Sequence, residues 1–141
     1  HTPSNVIHAE FLYKLFPNFK LLHIYRDPRD VISSYSGKEW GSNSQKQNLF
    51  WIEDILSRWE LVKQKIPDDC YYEMAFENLI DNTEKEIRSI CDFLELEFDK
   101  NILQLDLTHH NIGRWKDDLN SSLLTLIETS NINKRYFYEA R

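Results

Sequence analysis

Residues 20–35 read KLLHIYRDPRDVISSY, and the order of this stretch decides the fold. Residues 20 to 25 form a short apolar run with His23 inside it, the pattern of a strand packed on both faces in a parallel sheet. Arg26-Asp27-Pro28-Arg29-Asp30 interrupts the run at once. Pro28 suits a turn or a first helical position, and DVISSY then resumes apolar spacing. Strand, tight charged loop and helix is the order in which α/β proteins bind ligands at the carboxyl ends of their strands.

Working outward, residues 4 to 16 place Ile7, Phe11 and Leu15 four apart with Leu12 and Phe16 beside them, which predicts a helix capped by Ser4 and ended near Pro17-Asn18. A longer helical pattern runs from about Lys46 to Lys65, with Leu49, Ile52, Leu56, Trp59 and Val62 on one side and Pro67 as its stop. Trp51 and Trp59 are assigned to its buried face. YYEMAF, residues 71 to 76, reads as a second short strand. Asn82-Thr83 caps a helix through about Leu94, with Thr83 and Glu86 in a capping-box pattern and Ile87, Ile90, Cys91 and Leu94 covering the sheet. Short helices are expected over 99–105 and 121–129, and a loop over 109–115. Two strands do not make a self-sufficient α/β sheet, so the chain is expected to be incomplete or to finish its sheet with another polypeptide, either a complementary N-terminal half or a second copy.

The 141 residues suffice for one domain. Apolar residues at 41% and charged residues at 28% exclude a disordered or fibrous chain. Cys70 and Cys91 provide neither a disulfide scaffold nor a four-ligand zinc site, and a reducing compartment is the default. No run of 18 apolar residues and no secretion signal is present, so no membrane contact is evident and a cytoplasmic location is expected. The chain begins with His1, so an earlier region holding a Golgi or membrane anchor would change that expectation. Residues 1 to 66 carry nine Lys and Arg against seven Asp and Glu, whereas residues 67 to 141 carry eight against sixteen. An acidic half argues against general nucleic-acid binding, yet leaves room for a small anionic ligand in the first half.

Arg26 at the end of a strand, with Ser33-Ser34 in the next helix, combines a planar fork of donors with a hydroxyl beside backbone N–H groups. That set suits phosphate or sulfate, and Arg26 is the anchor because it binds two anionic oxygens at once. Asp27 and Asp30 are assigned to bracing the loop. The alternative is a solvated turn with internal ion pairs. A second donor-rich stretch, HHNIGRWKDDL at 109 to 119, crowds His109, His110, Arg114 and Lys116 around Gly113. No metal site is expected there, since no carboxylate or cysteine stands at ligand spacing. His8 and His23 are assigned structural or exposed positions. The chain has no GxxxxGK[ST] loop and only 3 glycines, so a backbone cradle for a diphosphate is missing.

Taken together, the strand with RDPRDVISSY, YYEMAFENL, ICDFLEL and NIGRWKDDL resemble the second half of a sulfotransferase that uses 3'-phosphoadenosine 5'-phosphosulfate, PAPS. The resemblance runs from about Thr2 to about Glu128 and makes residues 1–141 a partial sulfotransferase domain carrying the 3'-phosphate-binding segment. It implies a P-loop-NTPase-like α/β fold: a parallel sheet flanked by helices. It also implies transfer of a sulfuryl group to a hydroxyl or amine on a small-molecule, peptide or carbohydrate acceptor, leaving the desulfonated nucleotide PAP. By resemblance Arg26 and Ser34 grip the cofactor's 3'-phosphate, Phe76 stands near the adenine where the family often has tyrosine, and Gly113, Arg114, Trp115 and Lys116 belong to the loop that closes over the nucleotide. Thr108-His109-His110 stands where cytosolic members carry a basic run. The family's 5'-phosphosulfate loop and general base fall at or before His1, so no catalytic residue is assigned and the isolated chain is expected to be inactive. A non-catalytic nucleotide-binding or assembly module is the alternative; a nucleotide kinase-like phosphotransferase is disfavoured because Walker lysine and magnesium site are both missing.

Overall fold

The computed structural model describes residues 3–35, 38, 42–105, 107 and 111–139. The expectations placed on His1, Thr2, Thr108, His109 and His110 lie outside these residues.

Two five-residue strands, β1 (Leu21–Tyr25) and β2 (Tyr71–Ala75), pair in parallel with His23 opposite Glu73 and Tyr25 opposite Ala75. A parallel pair needs a crossover. Here it consists of α2 (Pro28–Tyr35), which begins at the expected proline, and α3 (Gln45–Lys63), capped by Ser44, whose side chain accepts a bond from the Gln47 N–H. Chain direction reverses at Ile66-Pro67 and enters β2. After it come α4 (Phe76–Asp81), α5 (Thr83–Leu94), a 3-10 turn (Lys100–Gln104), α6 (Trp115–Asp118), α7 (Ser121–Glu128) and a second 3-10 turn (Lys134–Tyr136). Among the described residues no helix is long and apolar enough to cross a membrane.

The core lies between α3, α7 and one face of the sheet. Leu49, Ile52, Leu56, Trp59 and Val62 are all buried, as the i, i+3, i+4 spacing requires. Trp51 is the exception, 37% exposed and edge-on to Tyr35. Eight residues are 2.2 turns, so Trp51 stands about 80° from Trp59 around the helix. The N-terminal helix also differs from expectation: residues 3 to 8 form a 3-10 helix, and α1 begins only at Ala9 (Ala9–Leu15). Val6 and Ala9 face the core while Ile7, Phe11 and Leu15 are 51%, 60% and 54% exposed. On β1, Leu22 and Ile24 are exposed too. The capping box of α5 does not form: the Thr83 hydroxyl donates back to the Ile80 carbonyl and Glu86 accepts from the Tyr72 hydroxyl. Of the α5 face only Cys91 is fully buried; Phe93 on the same helix packs 5.7 Å from the Tyr72 ring.

Glu73 joins the layers. Its carboxylate meets His23 Nδ1 at 3.2 Å and accepts from Trp59 Nε1 at 2.5 Å, Lys63 Nζ at 3.2 Å and the Arg135 guanidinium at 2.8 and 2.9 Å. Arg135 also reaches Glu60, which accepts from the Tyr136 hydroxyl. Burial opposes ionisation of Glu73, but the bonds from His23, Arg135 and Trp59 outweigh it and hold the carboxyl well below the usual carboxylate range. A carboxyl with a depressed folded pKa contributes stability above its unfolded value and loses it as pH falls. Glu73→Gln is therefore expected to lower the thermal midpoint by several degrees at neutral pH, with the gap to the unmodified chain starting to narrow as pH falls below about 5 and still partly open at about 3. Thermal unfolding of both chains across that range checks it; a gap independent of pH would mean that the carboxylate charge contributes nothing.

Candidate functional site

Where β1 ends, three consecutive features are fixed by buried carboxylates. The Asp27 backbone N–H donates to Glu77 Oε1 at 2.9 Å, tying the strand end to α4. Asp27, 1% exposed, turns its own carboxylate onto Arg29, whose N–H and Nε approach Oδ1 at 2.8 and 3.0 Å while Nη2 reaches Oδ2 at 2.6 Å. Asp30, 2% exposed, sits in the first turn of α2 and accepts from the Gly113 N–H at 2.8 Å and the Trp115 N–H at 3.1 Å. Both aspartates therefore brace the backbone. Gly113 makes this possible with a φ of +80°, a left-handed conformation that glycine adopts without steric cost.

Arg26 lies under the loop so held. Its Nη2 donates to the Asn111 carbonyl at 2.6 Å and stands 3.5 Å from Asp30 Oδ2, and its guanidinium carbon is 5.4 Å from the Phe76 ring centroid. Its Nε is, among the described residues, the one buried side-chain nitrogen or oxygen without a hydrogen-bond partner. A buried donor of this kind costs free energy until an acceptor reaches it. Arg26 as a whole keeps 24% of its side chain open, so part of the fork faces outward.

The structure thus brings together four of the residues singled out from sequence: Arg26, Phe76, Gly113 and Trp115. Ser34 lies one turn beyond Asp30 on the same face of α2, its hydroxyl bonded to the Val31 carbonyl at 2.9 Å. Its neighbour Ser33 is the one that reaches across, donating to Asp118 Oδ2. Arg114 is 57% exposed and pairs with Asp118 at 2.9 Å, while the Lys116 ammonium stands 5.8 Å from the Trp115 ring at the surface. Among the described residues no group of His, Cys, Asp and Glu is arranged to hold a metal.

A separate cavity of about 380 Å³ opens at the carboxyl ends of both strands, lined by Tyr25, Ala75, Glu77, Asp81, Lys85 and Arg135 among others. None of the residues singled out from sequence as cofactor-binding lines it. Burial pushes the Glu77 carboxyl up against the opposing effect of the Asp27 N–H. Its bond to the strand end makes Glu77 a brace for the turn.

Sequence reading missed Asn111 and Tyr138. Asn111 contributes only a backbone carbonyl, at a φ of 53°, and Tyr138 meets Asp27 and Arg29 through its backbone N–H and C=O. Backbone partners carry no side-chain signature, although Asn before a glycine-containing turn is a position where left-handed backbone is common.

Comparison with known proteins gives a consistent family. The sulfotransferase family model matches residues 1–100. "Putative protein-tyrosine sulfotransferase" of Caenorhabditis briggsae is 27% identical over 135 residues, 92% of this chain and 46% of that protein. "Protein-tyrosine sulfotransferase A" of Caenorhabditis elegans is 26% identical over 130 residues, 83% of this chain and 34% of its own length. Among solved structures, the "Sulfotransferase Domain from the Curacin Biosynthetic Pathway" superposes with a TM-score of 0.59 at 18% identity, over 84% of this chain and 44% of the other. That likeness is one of fold: an α/β arrangement with a parallel sheet flanked by helices. The chain spans less than half the length of these proteins.

Proposed function

Because this chain belongs to the sulfotransferase family, we propose that it supplies the 3'-phosphate subsite of an enzyme transferring a sulfuryl group from PAPS to a hydroxyl or amine, with PAP as the nucleotide product. The observation that carries the reading is Arg26: an arginine at the carboxyl end of a strand, its fork partly open, its buried Nε lacking an acceptor, and its guanidinium beside the Phe76 ring. A dianionic phosphate fits that donor set, since charge-assisted bonds to Arg are the strong ones. Ser34, on the Asp30 face of α2, would turn its hydroxyl from the Val31 carbonyl to a phosphate oxygen. Phe76 offers a ring face for the adenine. The 111–116 loop, pinned by Asp30, would lie over the phosphate end.

PAPS supplies the activated sulfuryl group. This chain's part in the reaction is then positioning: holding the nucleotide by its far phosphate converts remote binding energy into alignment at the reacting centre. The acceptor is a small molecule, carbohydrate or peptide; the names of the two nematode relatives support a protein tyrosine hydroxyl as one candidate. A complementary part of the domain would cover the exposed Ile7, Phe11 and Leu15 and the open Leu22 and Ile24.

Calorimetric titration with adenosine 3',5'-bisphosphate and adenosine 5'-phosphate tests the reading. The bisphosphate is expected to bind at least about tenfold more tightly, the equivalent of 1.4 kcal/mol or more. Equal affinity for the two nucleotides, or no binding by a folded chain, overturns it.

A further inference from the structure

We propose that Arg29, clasped between the C-terminal segment and Trp115, is a positioning residue that locks the 111–116 loop over Arg26. Although Arg29 is the second arginine of the charged turn, its donors are committed elsewhere. Nε and Nη2 grip the Asp27 carboxylate at 2.6 to 3.2 Å, and Nη2 also donates to the Tyr138 carbonyl at 2.9 Å. The Tyr138 N–H donates in turn to Asp27 Oδ2 at 2.9 Å. The Asp27–Arg29 pair thus uses both backbone groups of one residue 109 positions away, closing a two-bond clip between the turn and the chain's last described residues.

The guanidinium plane does the second half of the work. Its carbon lies 4.0 Å from the Trp115 ring centroid and 5.4 Å from that of Phe137. Stacking of this kind orients an indole as well as attracting it. Trp115 is held at its backbone by Asp30 and at its ring by Arg29, so the loop is fixed at two points from one turn of chain. The C-terminal segment is itself anchored, through Arg135 to Glu60 and Glu73 and through the Tyr138 hydroxyl to Asp81 at 2.6 Å. This segment lies beyond residues 1–100, which the family model matches. The inference rests on the reading of Arg26 as the phosphate grip for its purpose, though not for its geometry.

Hydrogen exchange at the Gly113 and Trp115 amides tests the clip without any ligand. Arg29→Lys keeps the charge but loses the fork and the flat stack, and Tyr138→Pro removes the N–H that reaches Asp27. Both are expected to speed exchange at these two amides by about tenfold, with α3 and β1–β2 amides unchanged. Tyr138→Ala keeps the backbone bonds but loses the hydroxyl's bond to Asp81, so it should speed exchange at the two amides less than Tyr138→Pro does. Unchanged Gly113 and Trp115 in both variants, or equal acceleration across the whole chain in Arg29→Lys, overturns the proposal; a response to Arg29→Lys alone overturns the part given to Tyr138. Should Tyr138→Pro fail to fold, Arg29→Lys decides. In a second arm, the preference for adenosine 3',5'-bisphosphate over adenosine 5'-phosphate should fall about tenfold in Arg29→Lys, where general destabilisation would weaken both nucleotides alike. If the unmodified chain shows no such preference, the phosphate reading of Arg26 fails, and the exchange result still decides the clip.

Discussion

Alanine in place of Trp59 is expected to cost about 3–5 kcal/mol, a large share of the total stability of about 5–15 kcal/mol that is typical of a domain. Trp59 is fully buried, its ring 4.3 Å from His23 and 5.4 Å from Tyr71, so both strands lose their cover together. The indole N–H is also one of the donors that keep Glu73 ionised in a half-buried setting. Removing it strips a bond from a charge already desolvated, a loss added to that of the cavity. Urea unfolding of Trp59→Ala and Trp59→Phe separates the two effects. Phenylalanine keeps most of the ring and should recover more than half of the loss, leaving about 1–2 kcal/mol for the missing N–H bond. A Trp59→Ala cost below about 1 kcal/mol would mean that the α3–sheet contact does not hold this fold together.

The contrast with Trp51 shows what a sequence pattern conveys. The apolar positions Leu49, Ile52, Leu56, Trp59 and Val62 are legible because a helix can bury only one stripe, and all are buried. Trp51 lies off that stripe, although its eight-residue spacing from Trp59 suggested otherwise. On the N-terminal helix the difficulty is reversed: Ile7, Phe11 and Leu15 have the right period, but Val6 and Ala9 face the core. Periodicity identifies an apolar face without saying which surface meets it. Both strands were legible from their short apolar runs and flanking breakers, to within one residue. In the site, Arg26 could be singled out because a strand, a charged turn and a helix leave few places for the first arginine. The bracing carboxylates Asp27 and Asp30 were legible for the same reason, since an anion would repel them. The clip at Tyr138 and the carbonyl of Asn111 were not: both are backbone contacts across 85 or more residues, formed only once the tail and loop have been brought to the turn.

The same turn carries the larger functional expectation. Arg26→Ala should abolish discrimination by the 3'-phosphate, lowering affinity for adenosine 3',5'-bisphosphate by roughly 10- to 150-fold, the range of about 1.5–3 kcal/mol for a hydrogen bond to a charged group, while adenosine 5'-phosphate changes little. Arg26 has two partners that the substitution also removes, the Asn111 carbonyl and Asp30, so loosening of the loop has to be separated from loss of the grip. Arg26→Lys does this. An ammonium is one point of charge on a flexible stem; it can reach the Asn111 carbonyl or a phosphate oxygen but cannot fork to both. If the grip is bidentate, Lys should recover only part of the lost affinity, with exchange at the Gly113 and Trp115 amides close to that of the unmodified chain. Full recovery by Lys would reduce the role of Arg26 to net charge. Equal loss for both nucleotides in Arg26→Ala would make it a brace for the loop, leaving the 3'-phosphate to be held elsewhere.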